Sequence, residues 1–416
     1  MSGKRTGGLH VACLARALSE CPRKISSIRR KPSGPSANSG ICGDRTELLS
    51  SEMMRIISVV GARPQFVKVA PIAKAMQQPR FAAAARHEII HTGQHYDWEM
   101  SEGFFRELAI TPPGWLLEVG SKRHGEQTGE MMKRLEPLLM AAKPDWVVVY
   151  GDTNSTLAAA LVAAKLGQRI AHVEAGLRSY NRAMPEEINR IVVDHVSDVL
   201  LCPTTAAMAN AGKEGLGPKA VLTGDVMLDA ALQFRNAAQS RPSPGWNRWE
   251  AGRFVLATIH RAENTDNPAR LCAILEALER IAETICPVVL PLHPRTRNVL
   301  TKLNWKARAI AVTRPASYLD MLLLEDRARF VVTDSGGVQK EAYFFETPCI
   351  TLRDETEWME TLENGCNTLA GADDGRILAA AAAVAQAGPW RNAYGNGEAA
   401  EVICETLLSC CGGAPE

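Results

Sequence analysis

Hydrophobic residues along this chain come in short solid blocks, each leading into a stretch whose apolar positions recur with helical spacing. From Met54 the blocks read RIISVVG, HEIIHTG, DWVVVYGD, RIAHVEAG and DVLLCP, with RPQFVKVAPIAKAMQ and STLAAALVAAKLG as the clearest helical stretches. Apolar runs of five to seven residues predict strands covered on both faces. Strand and helix repeating in this way build a parallel sheet with helices above and below it. The series ends near AVLTGDVMLDA, and RPSPGWNRWEAG reads as a loop. A second series follows: RFVLATIH, CPVVLPLHP, AIAVT, RFVVTDSGG and TPCITLR, again with helices between. Two successive doubly wound halves predict two Rossmann-like domains with a cleft between the C-terminal ends of their strands. The last amphipathic stretch, GEAAEVICETLLSC, predicts a helix that could cover either half.

Residues 1–52 break the pattern. RKISSIRRKPSGPSANSG is basic, rich in Ser, Pro and Gly, and without periodicity, which predicts disorder. A dispensable tail, an Arg/Ser-rich targeting segment and a start placed too far upstream all account for it. Met53 and Met54, just ahead of the first block, favour the last.

Composition narrows the class. A chain of 416 residues is too long for one ordinary core. A net charge of +1 provides no bulk field for nucleic acid or an acidic membrane surface, so any anion must be held by a local site. The 11 cysteines include no C-x-x-C pair, so neither a structural zinc site nor a disulfide framework is expected, and free thiols fit a cytoplasmic protein. No apolar run reaches the ~20 residues that span a bilayer.

Candidate chemistry lies where the blocks end. In VVTDSGGVQKEAYFFETP a strand finishes at Thr333, Asp334 or Ser335 can cap a helix, and Gly336 and Gly337 leave its first amides uncovered. Bare N–H groups at the positive end of a helix dipole suit a diphosphate. Glu341 follows, where a carboxylate could accept from ribose hydroxyls. The plainer alternative is a capped helix whose glycines only permit close packing. VVGARPQFVK repeats the arrangement in the first half, with Gly61 at the turn, Pro64 early in the helix, and Arg63 and Lys68 as cations or as a solvated basic turn. Asp152 follows a strand directly, among residues that all make good N-caps. In VEAGLRSYNRAMPEEINR, Pro185, Glu186, Glu187 and a Glu186–Arg190 pair suit a helix start, with Glu187 only a helix-start charge. Glu174, at a strand end, has no helix role. His260 with Arg261, and His293 with Arg295 and Arg297, end strands of the second half and face the same cleft. Two histidines opposite Asp152, Glu174 and Glu186 point to acid/base work on a phosphorylated substrate.

Taken in order, GARPQFVKVAP, HTGQHYD, YGDTNST, HVEAGLRS, MPEEINR, GDVMLD, HRAEN, LHPR and TDSGGVQKEA resemble the non-hydrolysing UDP-N-acetylglucosamine 2-epimerases from Arg55 almost to the end of the chain. The resemblance implies a GT-B fold, a UDP-sugar substrate, a homodimer and a role in envelope polysaccharide supply, with no metal or other cofactor. It divides the chain into an extension (1–52), an N-terminal domain (53–228), a UDP-binding domain (229–390) and a last helix (391–416) packed back on the first domain. By motif, Asp152, Glu174, Glu186 and His260 are catalytic. Arg63, Lys68, Arg178, Arg190, His293, Ser335, Gly336, Gly337 and Glu341 bind substrate. Gln94 and His95 match an allosteric UDP-N-acetylglucosamine site of some members. Many members read GTRPE and GGxQEE where this chain has Ala62, Gln65 and Lys340, and HTGQHYDWEMS and LRDETEWMET look like a variant branch. Related enzymes act on UDP-2,3-diacetamido-2,3-dideoxy-glucuronic acid. A hydrolysing epimerase, a GT-B glycosyltransferase and a nucleotide-sugar sensor are the alternatives.

Overall fold

A computed structural model describes residues 53–94, 103, 105–241 and 245–410. The extension 1–52 and His95 lie outside the described residues. Seven strands form the first sheet: β1 (Met54–Val60), β2 (Ala85–His91), β3 (Trp115–Leu116), β4 (Trp146–Tyr150), β5 (Ile170–Val173), β6 (Val199–Cys202) and β7 (Ala220–Leu222). Their order is 3-2-1-4-5-6-7, and every neighbouring pair is parallel. Six more strands form the second: β8 (Val255–Thr258), β9 (Val288–Pro291), β10 (Ala311–Thr313), β11 (Phe330–Thr333), β12 (Cys349–Thr351) and β13 (Asn367–Leu369), in the order 10-9-8-11-12-13, again all parallel. These are the two Rossmann-like sheets of a GT-B fold. The apolar blocks explain them, since every residue of β4, β5, β6, β8, β9 and β11 except Thr258 is buried. No helix among the described residues is long and apolar enough to cross a membrane.

Strand ends deliver the motifs to one place. Tyr150 pairs with Val173 and Thr258 with Thr333, so Asp152 and Glu174 leave one sheet side by side, as His260 and Asp334 leave the other. Each sheet reverses its strand order next to these ends, between β1 and β4 and between β8 and β11. That is where open α/β sheets bind ligands.

Gln65, one of the departures from GTRPE, has a structural explanation. It is buried, its Oε1 accepts from the amides of Gly61 and Ala62 (2.8 and 3.1 Å), and its Nε2 donates to the Tyr150 carbonyl and to Thr156 Oγ1 (both 2.9 Å). A neutral amide both accepts and donates here, which an ionised carboxylate cannot do.

The helix Val226–Ser240 links the halves. Its apolar face joins Phe66 and Val67 of the first half to Leu319, Leu322 and Leu323 of the second in one apolar cluster. The last helix, Ala399–Ser409, returns to the first sheet. Ile403, Cys404 and Leu407 share that cluster with Ala73 and Trp146, and the Trp146 indole donates to the Leu407 carbonyl (3.0 Å). This helix has no side-chain cap of its own. Asp229, from Val226–Ser240, caps it instead by accepting from the amides of Ala399 and Ala400 (3.2 and 2.7 Å).

Candidate active site

The first-domain wall is a lattice of paired charges. Asp152 is not the helix cap; Thr153 is, accepting from the Thr156 amide. The Asp152 carboxylate is gripped by Arg190 through Nε and Nη2 (3.0 and 2.8 Å), and Asn189 donates to its backbone carbonyl (2.8 Å). Burial would raise the pKa of Asp152, but Arg190 and Lys68 outweigh it and hold the group below its usual range. Glu174 sits in the left-handed region (φ 67°), where a non-glycine residue is strained. Its carboxylate is buried against Lys68 Nζ on one oxygen and lies 3.2 Å from Lys340 Nζ on the other. Burial works against its charge, yet Lys340 and Lys68 keep it below the usual carboxylate range. Gly151 turns between the two acids with φ 60°, and a Cβ there would stand 2.9 Å from Lys68 Nζ.

Glu187 corrects the sequence reading. Far from being a helix-start charge in solvent, it is 1% exposed and accepts from the Ser179 amide and hydroxyl (both 3.0 Å), the Tyr180 amide (2.9 Å) and Arg190 Nη1 (2.7 Å). Arg190 therefore pairs with Glu187 and Asp152, not with Glu186. Glu186 is half-buried at the same helix start and has no hydrogen bond or ion pair among the described residues.

The second-domain wall is set by Asp334, which is buried and does not cap the following helix. It accepts from the amides of His260 (3.0 Å) and Arg261 (2.9 Å), from Asn264 Nδ2 (3.2 Å), and lies 3.2 Å from His260 Nδ1. Burial opposes the Asp334 charge, and the hydrogen bond from His260 leads the effects that lower its pKa. Ser335 caps the helix Gly336–Phe344, and the Gly336 and Gly337 amides have no acceptor among the described residues. A side chain at Gly336 would stand 2.9 Å from Glu357 and 3.2 Å from the Trp358 indole, so close packing and bare amides both hold here. His293 caps the helix Pro294–Lys302 with Nδ1 accepting from the Arg295 amide (3.2 Å), which leaves its proton on Nε2. Its ring lies 5.8 Å from that of His260, and burial, His260 and Arg63 lower its pKa.

Several contacts close the cleft. Arg63, from the first domain, lies in the field of Glu341, Glu107, Tyr318 and Glu325, and burial lowers its pKa against them. Glu341 is buried, and burial pushes its pKa up to about 7 against Tyr318, Lys340 and Arg63. Glu107 accepts from Ser317 Oγ (2.7 Å) and Asn181 Nδ2 donates to Glu355 (2.7 Å). Lys340, with no exposed surface, joins Asp225 Oδ2 (2.6 Å) and Glu174.

Two further expected residues are held by groups of the first domain. The Arg178 guanidinium is held by Asp194 (2.7 Å), by both oxygens of Glu214 (2.7 Å each) and by the Leu177 carbonyl (2.7 Å). Gln94 accepts from the Ser155 amide and hydroxyl (3.0 and 2.7 Å).

Comparison with known proteins agrees with this architecture. The sequence profile described as UDP-N-acetylglucosamine 2-epimerase matches residues 79–408. The chain is 48% identical to UDP-2,3-diacetamido-2,3-dideoxy-D-glucuronate 2-epimerase of Pseudomonas aeruginosa, over 85% of this chain and 99% of that one. It is 41% identical to UDP-N-acetylglucosamine 2-epimerase of Methanocaldococcus jannaschii, over 85% and 99%. The crystal structure of the Methanocaldococcus jannaschii enzyme in complex with UDP-GlcNAc and UDP superposes with a TM-score of 0.80, covering 86% of this chain and 100% of that one.

Proposed function

The chain belongs to the UDP-N-acetylglucosamine 2-epimerase family, and from that premise we propose that it inverts C2 of a UDP-linked 2-acetamido sugar held between its two domains. No carbonyl adjoins C2, so its proton cannot be removed alone. The C1–O bond breaks with its electron pair leaving on UDP while a base takes the C2 proton, and a 2-acetamidoglucal with a C1=C2 double bond results. UDP then adds back to C1 and C2 is protonated from the opposite face. This route needs a clamp that retains the leaving diphosphate and proton-transfer groups on both sugar faces.

The observation that carries the proposal is the pairing of two ion-locked carboxylates, Asp152 and Glu174, with a helix start bearing two bare glycine amides. We assign Asp152, Glu174, Glu186 and His260 to proton transfer and charge stabilisation. Ser335, Gly336, Gly337, His293 and Arg63 hold the diphosphate, and Glu341 the ribose. Lys68 and Arg190 set Glu174 and Asp152, and Arg178 braces the wall behind them. Residues 53–228 and 229–390 act as the substrate domain and the UDP domain of a cytoplasmic homodimer, with the helix Ala399–Ser409 returning to the first.

UDP-N-acetylglucosamine and UDP-N-acetylmannosamine are the pair we assign. UDP-2,3-diacetamido-2,3-dideoxy-glucuronate is the second reading, favoured by the 48% identical relative. Incubation with each sugar in deuterated water, followed by NMR, tests both. Deuterium at C2 with the inverted product and no free sugar is expected. Free N-acetylmannosamine with UDP would mark a hydrolase, and failure to wash deuterium into either sugar would remove the epimerase reading.

A further inference from the structure

We propose that Lys340 is a positioning residue for this reaction, reaching from the second domain to anchor on Asp225 and hold the Glu174 carboxylate against Lys68. Lys340 has no exposed surface, and burying an ammonium is strongly unfavourable unless it is paired. Asp225, 2.6 Å away, meets that need by itself. The further contact to Glu174 (3.2 Å) is not required to keep Lys340 buried, because Glu174 already has Lys68. Its effect falls on Glu174, which holds a strained backbone conformation at a strand end and is fixed on both oxygens by cations from two domains. The Trp358 ring, 3.9 Å from Lys340 Nζ, backs the ammonium from the second domain.

The charged surroundings of Glu174 are few. Lys68 faces it from the helix Arg63–Ala75, Asp152 from the end of β4 with Arg190 behind, and Lys340 from Gly336–Phe344. Asp225 bonds Lys340, Glu341 lies in the field of Lys340, and the buried Tyr394 hydroxyl lies in the field of both Asp225 and Glu174. Lys340 leads the charge attractions on Glu174, and Lys68 adds a second charge and a hydrogen bond.

Replacing Lys340 alone would leave the buried Asp225 carboxylate without its cation, so the main variant is Lys340→Met with Asp225→Asn. It removes one charge of each sign and keeps a cap for Val226–Ser240, because Asn also serves at that position. The Glu174 carboxyl is followed in protein labelled with 13C-glutamate, its resonance identified by its loss in Glu174→Gln. In the double variant it is expected to titrate about one pH unit or more above wild type. The acid limb of kcat should rise with it, while UDP affinity stays within about threefold. Asp225→Asn alone should move the titration the other way, since Lys340 then serves Glu174 undivided. An unmoved titration in the double variant, or an upward or absent shift in Asp225→Asn, overturns the proposal. The inference leans on the epimerase reading only for the kcat limb. A wild-type protein that turns over neither sugar would sink that reading and leave the titration to decide Lys340.

Discussion

Glu186 and Glu187 are adjacent, chemically identical and expected to fail in opposite ways. In Glu187→Gln the amide oxygen can keep the place of Oε2, which accepts from the Ser179 amide and hydroxyl and from Arg190. The NH2 group then points at the Tyr180 amide, which now bonds the other oxygen at 2.9 Å, and two donors face each other. Hydrogen bonds to charged groups contribute about 1.5–3 kcal/mol each, so losing one and weakening the Arg190 pair costs about 3 kcal/mol. At ~2–4 °C per kcal/mol for a domain of this size, the first-domain transition should fall by about 6–12 °C. Glu186→Gln removes no hydrogen bond or ion pair among the described residues and should leave the transition within about 2 °C, while lowering turnover by the ~10²–10⁴ typical of an acid/base group. Differential scanning calorimetry beside deuterium wash-in reads both variants. A Glu187→Gln protein that melts with wild type refutes the hub. A Glu186→Gln protein with full turnover removes Glu186 from the catalytic set.

Three further outcomes follow from the geometry. Asp334→Asn should cost about 2–3 kcal/mol and weaken UDP binding, because one amide oxygen must replace a carboxylate that serves the whole His260–Asn264 turn; wild-type UDP affinity by calorimetry would contradict this. Glu341 has its pKa raised to about 7 by burial, so UDP should bind more weakly as pH falls through 7, where the ribose acceptor gains a proton, and Glu341→Gln should flatten that dependence in titration calorimetry. Gly151→Ala should destabilise by about 1–2 kcal/mol from the left-handed backbone alone and also lose turnover, since the new Cβ displaces Lys68; stability loss without loss of turnover would show that Lys68 can move freely.

What could be read from sequence follows the range of the interactions involved. Buried parallel strands write themselves as solid apolar blocks, so most strands of both sheets were legible. β3, β7 and β13 were not singled out, and length alone does not explain it, since β10 and β12 are as short as β7 and β13 and were read. The helix His124–Ala142 did leave one, in the buried Gln127, Met131, Leu135 and Leu139, and went unread among its many polar neighbours. Site residues at strand ends were legible because topology puts them there. Their partners were not. Lys340 meets Glu174 across 166 residues and Asp225 across 115, and no local spacing announces such a contact. A glutamate at a helix start carries the same local signal whether it faces water, like its neighbours in solvent, or lies buried as Glu187 does. Lys340 did leave one trace, as a departure from GGxQEE.

The returning helix Ala399–Ser409 gives the chain a schedule. Its Ile403, Cys404 and Leu407 complete the apolar cluster around Ala73 and Trp146, and its cap is Asp229. During synthesis the second sheet, closed by Leu369, has all its strands before the first domain receives its last wall. The domain translated first is thus the one finished last. It waits with the Trp146 face uncovered, and a product cut short before Ala399 would keep that face open as an aggregation surface.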